Sequence, residues 1–158
     1  MIHIYTDGSA RGNPGPGGYG VILKYKHYVK ELAQGYRKTT NNRMELLGVI
    51  IGLEALKEAL QEVMIYSDSK YVLDPIAKGW LKKWIKMDFK DKKNPDLWKR
   101  FWIVYQKHHV YFHWVKGHSG QRENERCDQL AVASSYQNLL VDEYYEKMTV
   151  SVGNVGVI

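Results

Sequence analysis

Four acids and one histidine stand where side chains could act together. Asp7 closes a β-rich run, Glu45 opens an amphipathic stretch, Asp68 follows a short apolar run, Asp128 lies in a later helical pattern, and His118 sits between Gly117 and Ser119-Gly120. In a sheet with helices stacked on it, strand ends and helix termini converge on one edge, where α/β folds bind ligands. Carboxylates gathered there repel one another and raise each other's pKa values unless cations sit among them. Hard oxygen donors of this kind select Mg²⁺ or Mn²⁺ over zinc, and the lone Cys127 offers no competing soft site. Taken singly, each acid has a plainer use. Asp7 before Gly8-Ser9 starts a turn, Asp68-Ser69 caps a helix, Glu45 complements a helix dipole, and Asp128 is solvated on its helix. Those uses do not explain why all four should point toward one edge. His118 has no second His or Cys at ligand spacing, which argues against zinc. An imidazole with an ordinary pKa near working pH suits proton transfer beside a metal-carboxylate cluster.

The elements that must position these groups follow from periodicity and punctuation. His3 to Thr6 and Tyr19 to Tyr25 read as strands joined by a Gly- and Pro-rich turn, and Lys30 to Arg37 as a third strand. Thr39-Thr40-Asn41-Asn42 supplies caps for a helix from about Arg43 to Ala59, with Leu46, Val49, Ile50, Leu53, Leu56 and Leu60 on one apolar face and Glu45 in its first turn. Val63 to Ser67 is a short buried-type strand, Tyr71 to Ile76 is helical, and Pro95 opens a further helix. Val110 to Lys116 alternates as a fifth strand, and Glu125 to about Ser135 forms a helix with Leu130 and Ala133 inward. Three antiparallel strands followed by strand-helix alternation predict an α/β fold with one mixed five-stranded sheet, its later strands parallel, flanked by helices. Beyond Gln137 the pattern is less legible: Met148-Thr-Val-Ser-Val has strand propensity, and Gly153 and Gly156 break up the last residues of the chain.

Charge adds a second signal. The chain carries 23 Lys+Arg against 17 Asp+Glu, a net +6. From Lys78 to Arg100 there are nine basic residues and three acids, so 9 − 3 accounts for the whole excess. Trp80, Trp84, Phe89 and Trp98 interleave with this block. That composition fits a surface that neutralises phosphates and lays rings against sugars or bases, and it equally fits a solvated lysine face over core tryptophans. At 158 residues with 44% hydrophobic and 25% charged residues, the chain is expected to be one compact, soluble domain. With no signal-peptide pattern and a single cysteine, a cytoplasmic location is expected.

Here the residues reach a family. Tyr5-Thr-Asp-Gly-Ser-Ala-Arg-Gly-Asn-Pro-Gly-Pro-Gly-Gly-Tyr-Gly20, Thr39-Thr-Asn-Asn-Arg-Met-Glu-Leu46, Tyr66-Ser-Asp-Ser69, and Trp114-Val-Lys-Gly-His-Ser-Gly120 with Glu123-Asn-Glu-Arg-Cys-Asp128 closely resemble the bacterial ribonuclease HI family of type 1 ribonucleases H. The resemblance covers Met1 to about Ser135. It implies a ribonuclease H-like catalytic domain over residues 1–136, followed by a tail, 137–158, of open structure. It further implies an Mg²⁺-dependent endonuclease, a hydrolase cutting the RNA strand of RNA/DNA hybrids with two ions bound, Mn²⁺ being a possible substitute, and leaving 5′-phosphate and 3′-hydroxyl ends. By the same resemblance Asp7, Glu45, Asp68 and Asp128 are the metal ligands and His118 the proton carrier. Asn13, Asn41 and Asn42 are similar to the family's minor-groove contacts, Lys38 and Thr40 to its DNA-phosphate pocket, and Tyr71 and Trp84 to its channel for DNA sugars. Lys82, Lys83 and Lys86 fall in its basic protrusion. Core packing is the alternative for both rings, and for Trp80 it is the preferred reading.

Three features depart from the family pattern. Lys70 stands where the best-known bacterial members carry an amide, so a groove contact is expected to become a phosphate contact. The segment between Trp84 and Trp98 is shorter than the usual protrusion, and its helix is expected to be curtailed. The tail beyond Tyr136 has no counterpart and could cover an edge strand, pair with another chain or stay mobile. The expected partner is an RNA/DNA hybrid, with no membrane and no second copy, the chain holding its substrate unaided or being delivered to it. The rivals are a nuclease or transposase of the same architecture that reads a different nucleic acid, and a non-catalytic binding module that uses only the basic block. Asn41-Asn42 and the His118 loop argue against the first, and the complete ligand set against the second.

Overall fold

The structure is a computed structural model that describes residues 1–117 and 120–157, with side chains through residue 150. Five strands form one sheet: β1 (Ile2–Ala10), β2 (Gly15–Tyr25), β3 (Tyr28–Thr39), β4 (Glu62–Ser67) and β5 (His109–Trp114), in the order β3-β2-β1-β4-β5. β1, β2 and β3 are antiparallel neighbours, while β4 and β5 run parallel to β1 as expected. The helices are α1 (Asn41–Glu54), α2 (Lys70–Ala77), α3 (Trp80–Lys86), α4 (Pro95–Tyr105), α5 (Arg122–Ser134) and α6 (Glu143–Val157). None is long and apolar enough to cross a membrane.

α1 lies across one face of the sheet. Thr40 caps it by accepting from the Arg43 N–H at 3.2 Å. Met44, Leu46, Val49, Ile50 and Leu53 meet Ile4, Val21, Val63 and Ile65 in the core, and Leu97, Trp98 and Phe101 of α4 close the other side. The expected single apolar face is therefore corrected: sandwiched between sheet and α4, α1 is buried nearly all round. It also stops at Glu54 rather than Ala59. No Gly or Pro ends it; the chain turns back toward β4, and Leu60, placed in the sequence pattern on the core face, takes a left-handed φ of 59° and is 72% exposed. Glu45 lies one turn inside the helix instead of in its first turn.

α5 covers the opposite face, with a corrected phase: Asn124, Cys127 and Ala131 point inward, while Ala133 faces solvent. The cause is in β2, where Gly18 and Gly20 let the helix backbone come down onto the strand. A Cβ on Gly20 would stand 2.3 Å from the Cys127 carbonyl oxygen. Gly17 and Gly18, expected in the turn, are ladder residues opposite Ala10 and Ser9, so Asp7 lies within β1 opposite Gly20 and not at the strand's end. The turn shrinks to residues 11–14, closed by the Arg11 N–H donating to the Pro16 carbonyl at 2.8 Å.

The tail folds as a helix against the edge strand. Leu140 bridges Tyr36 of β3, with the Arg37 N–H donating to the Leu140 carbonyl at 2.9 Å. Asp142 then starts α6, and the strand propensity of 148–152 is overridden. The lysine-rich segment does include a short helix, α3, held to the core by Leu81 and followed by buried Phe89. Trp80 is not a core residue. Leu81 takes the inward slot, and Trp80 stays 40% exposed beside Trp84, under the Lys78 ammonium.

Candidate active site

β1, α1 and the end of β4 bring three carboxylates to one point. One oxygen each from Asp7, Glu45 and Asp68 all lie within 4.8 Å of one another. The approach is made possible at Gly8, where an added Cβ would sit 2.3 Å from the Met44 carbonyl carbon, so α1 can press its backbone onto β1 beside Asp7. The Gly8 N–H donates to Asp7 Oδ1 at 2.9 Å. Ser69 caps α2 by accepting from the Val72 N–H, and its own N–H donates to Ser67 Oγ at 3.1 Å, which fixes the backbone on either side of Asp68. Asp128 comes in from α5 on the far face of the sheet, close enough to act on Asp7 electrostatically.

Burial and crowding set the protonation of this group. Burial, then the Asp68 carboxylate, then Asp128 push the Asp7 carboxyl up to about 8, against the opposing Gly8 hydrogen bond. Glu45 is raised well above the carboxylate range, first by burial and then by Asp7 and Asp68. Its Oε2 is buried without a hydrogen-bond partner among the described residues. An orphaned buried oxygen in a cluster of mutually repelling carboxylates is what a bound cation relieves, and oxygen-only donors suit a hard divalent ion. These residues therefore fit a hard divalent cation. Cys127, beneath Asp7 and wholly buried, has its thiol raised by burial and is neither a soft ligand nor a nucleophile.

His118, the proton carrier of the sequence reading, lies outside the described residues. The loop that leads to it does reach the cluster, since a Cβ on Gly117 would lie 3.0 Å from Asp68 Oδ2.

Next to the acids, the α1 N-terminus gathers amides. Asn41 Oδ1 accepts from the Ala10 N–H at 2.6 Å, and Asn13 Oδ1 accepts from the Asn41 N–H at 2.9 Å. With both carbonyl oxygens engaged, each amide keeps its NH₂ group as a donor. Those donors match a minor groove, whose A·T edges offer only acceptors. Asn42 is exposed beside them, and Lys38 and Thr40 lead into the same edge. Tyr71 and Trp84 are half-buried on either side of buried Trp98, their ring centroids 5.7 and 5.6 Å from it. Lys70 is exposed with its ammonium 5.4 Å from the Trp114 ring. Lys82, Lys83 and Lys86 are exposed on α3 and make no ion pair among the described residues, whereas Lys78, Lys99 and Arg100 of the same block pair with Asp74, Asp88 and Glu54.

Sequence reasoning missed the support beneath this edge. Arg43, 3% exposed, donates to Asp96 at 2.9 and 2.8 Å, to Asp142 at 2.8 and 2.9 Å and to Asn94 Oδ1 at 3.2 Å. Burial alone works against its charge, and the Asp96 and Asp142 hydrogen bonds outweigh that and hold it ionised. Asn94 Nδ2 also donates to Tyr71 Oη at 2.8 Å. One buried guanidinium thus locks α1, α4 and the tail together next to Asn42. The available signal was an arginine inside an apolar helix, since such a charge is buried only when paired.

The ribonuclease H family model matches residues 1–136. A ribonuclease H of Desulforamulus reducens is 56% identical over 147 residues, covering 89% of this chain and 92% of that protein. A ribonuclease HI of Synechocystis sp. is 50% identical over 154 residues, covering 92% and 95%. Among solved structures, LC9-RNase H1, a type 1 RNase H with the type 2 active-site motif, superposes with a TM-score of 0.77 at 30% identity, over 85% of this chain and 71% of that one. LC11-RNase H1 in complex with an RNA/DNA hybrid gives 0.64 at 26% identity, over 85% and 96%.

Proposed function

Because the chain belongs to the ribonuclease H family and is a ribonuclease H enzyme, acting on the RNA strand of RNA/DNA hybrids, we propose that it does so with two divalent cations held by Asp7, Glu45, Asp68 and Asp128, leaving 5′-phosphate and 3′-hydroxyl ends. The observation that carries this reading is the convergence of the Asp7, Glu45 and Asp68 oxygens within 4.8 Å around a buried oxygen that has no partner. Asp7, Glu45, Asp68 and Asp128 would hold the cations, which would supply a water of lowered pKa and Lewis acidity for the departing oxygen. The four carboxylates hold that charge and keep its position fixed, since each is set by packed backbone. Water attacks in line at phosphorus and the P–O3′ bond breaks; with Cys127 buried, no thiol takes part. His118 moves the proton that the reaction releases or requires.

Substrate choice rests on the neighbouring edge. The NH₂ groups of Asn13 and Asn41, with Asn42, read the hybrid's minor groove, and Lys38 and Thr40 hold a phosphate of the DNA strand. Tyr71 and Trp84 admit deoxyribose where a 2′-hydroxyl would crowd the rings, and Lys70, Lys82, Lys83 and Lys86 neutralise backbone phosphates. The test is incubation of labelled hybrid, double-stranded RNA, single-stranded RNA and duplex DNA with Mg²⁺, followed by end analysis. Only the hybrid should be cut, only in its RNA strand, and the new 5′ ends should accept no phosphate from a kinase until dephosphorylated. Equal cutting of double-stranded RNA would overturn the substrate reading.

A further inference from the structure

The family match ends at residue 136, yet the tail beyond it is built into the same edge. A groove of about 640 Å³ runs between α6 and the loop before α4. One side presents Asn13, Thr40 and Asn42, the loop presents Lys92 and Lys93, and α6 presents Tyr144 and Met148. Tyr144 and Met148 are each 39% exposed, large apolar surfaces facing an amide- and lysine-rich wall. Thr149 is not a free ligand, because its hydroxyl donates to the Tyr145 and Glu146 carbonyls at 3.0 Å.

Two features give this groove an occupant. The first is continuity: Thr40 and Asn42 belong to the nucleic-acid edge, and the Lys92 ammonium lies 5.1 Å from the Trp84 ring, so the groove joins the residues proposed to hold DNA phosphate to the ring proposed to hold DNA sugar. The second is charge: Lys92 and Lys93 carry no ion pair among the described residues, against one acid in the lining, Asp91. A wall of lysines opposite an aromatic ring suits a nucleic-acid backbone with its sugars. The start of the helix is pinned, since Asp142 is held by buried Arg43 and by the Thr39 hydroxyl, which donates to it at 2.7 Å.

We propose that the first turns of α6 form a second wall of the nucleic-acid groove, with Tyr144 and Met148 against the sugars of the hybrid's DNA strand and Lys92 and Lys93 opposite on its phosphates. This rests on the hybrid reading above. The RNA strand occupies the acid cluster, which leaves this groove to its complement.

The test compares Tyr144→Ala, Tyr144→Phe and Met148→Glu in the full chain by steady-state cleavage of hybrid and by anisotropy of labelled hybrid without added metal. Losing one ring contact should raise KM for hybrid about five- to thirtyfold with kcat within about twofold, and Tyr144→Phe should keep KM within about twofold of wild type. Met148→Glu should raise KM by an amount that shrinks as salt screens the new charge. Tyr144 also stands 5.4 Å from the Arg43 guanidinium, so a merely structural role would lower Tm without a change in KM. If Tyr144→Ala fails to fold, Met148→Glu, which leaves that contact in place, decides the matter. Unchanged KM and anisotropy for both variants on a hybrid that wild type cuts would overturn this proposal alone. A wild-type chain that bound hybrid without cutting it would overturn the activity and leave the anisotropy comparison to judge the groove.

Discussion

The acid edge and the lysine segment lie on one molecule and are built in opposite ways. At the acid edge, Asp7 is 7% exposed, Gly8 lets α1 touch β1, and burial drives two carboxyls out of their ordinary range. In the lysine segment the ammonium groups of Lys82, Lys83 and Lys86 stand in water on a seven-residue helix, with Leu81 as the inward residue that anchors it. The difference reflects what each kind of interaction demands. Chemistry at phosphorus needs groups held to a fraction of an ångström in a low-dielectric setting, and only packed backbone gives that. Phosphate neutralisation tolerates loose geometry, and its long, screened charges act additively. The acid edge should therefore fail completely on a single change and the lysine segment by degrees.

The sharpest contrast comes from Asp7→Asn. It removes one proposed ligand and one repelling charge together, so hybrid cleavage should drop by at least about a thousandfold, several kcal/mol of transition-state stabilisation, while stability holds or rises. Near-normal cleavage by this variant at saturating Mg²⁺ would remove Asp7 from the ligand set and blur the comparison. His118→Ala should do less, slowing turnover by a factor of about ten to a thousand with metal affinity unchanged, as loss of one proton-transfer group does. Loss of metal binding in a calorimetric titration would make His118 a ligand instead.

The two regions also differ in how far they could be read beforehand. The mixed five-stranded sheet with its antiparallel and parallel parts, and the Thr40 and Ser69 caps, follow from residue types and spacing, because hydrophobic period and cap chemistry are local. What was misread depends on tertiary contacts. Gly17 and Gly18 look like turn residues until they pair with Ala10 and Ser9, and that longer ladder puts Asp7 in the body of β1. Leu60 continues a helical pattern that the return to β4 interrupts. Trp80 and Leu81 compete for one inward slot, and only the packed core decides between them. Arg43 links to Asp142 across 99 residues, a partnership with no local signature. In the tail, that distant anchor overrides local strand propensity.

A graded response is expected from the lysine segment. Replacing Lys82, Lys83 and Lys86 with Ala should raise KM for hybrid and leave kcat nearly unchanged, because contacts far from the scissile bond hold ground state and transition state alike. Each lost phosphate contact should lower the slope of log affinity against log salt by about 0.7 to 0.9, so the triple variant should lose roughly two units. An unaltered slope would mean that these lysines are simply solvated.

The smallest effect concerns stability and returns to the acid edge. Folding raises the Asp7 carboxyl from 3.8 to about 8, by burial and then by Asp68 and Asp128, and raises Glu45 in the same direction. A raised carboxyl pKa means that the folded state binds more protons than the unfolded chain between those values. The stabilisation is complete below the unfolded pKa and is lost as pH rises through about 8. In chelator, Tm should therefore decline from pH 5 to pH 9, each kcal/mol of growing repulsion lowering it by about 2–4 °C in a chain of this size. Mg²⁺ should reverse the decline, most strongly at the alkaline end, where the ligands are ionised and a cation binds the folded state alone. Asp7→Asn should flatten the chelator curve by removing one titrating group and one source of the Glu45 shift. The lysine triple variant should leave its slope as in wild type, since those ammonium groups stand in water. An Asp7→Asn curve as steep as the wild-type curve would show that repulsion at this edge is already relieved without metal, and the contrast between a strained acid edge and a relaxed basic one would fall.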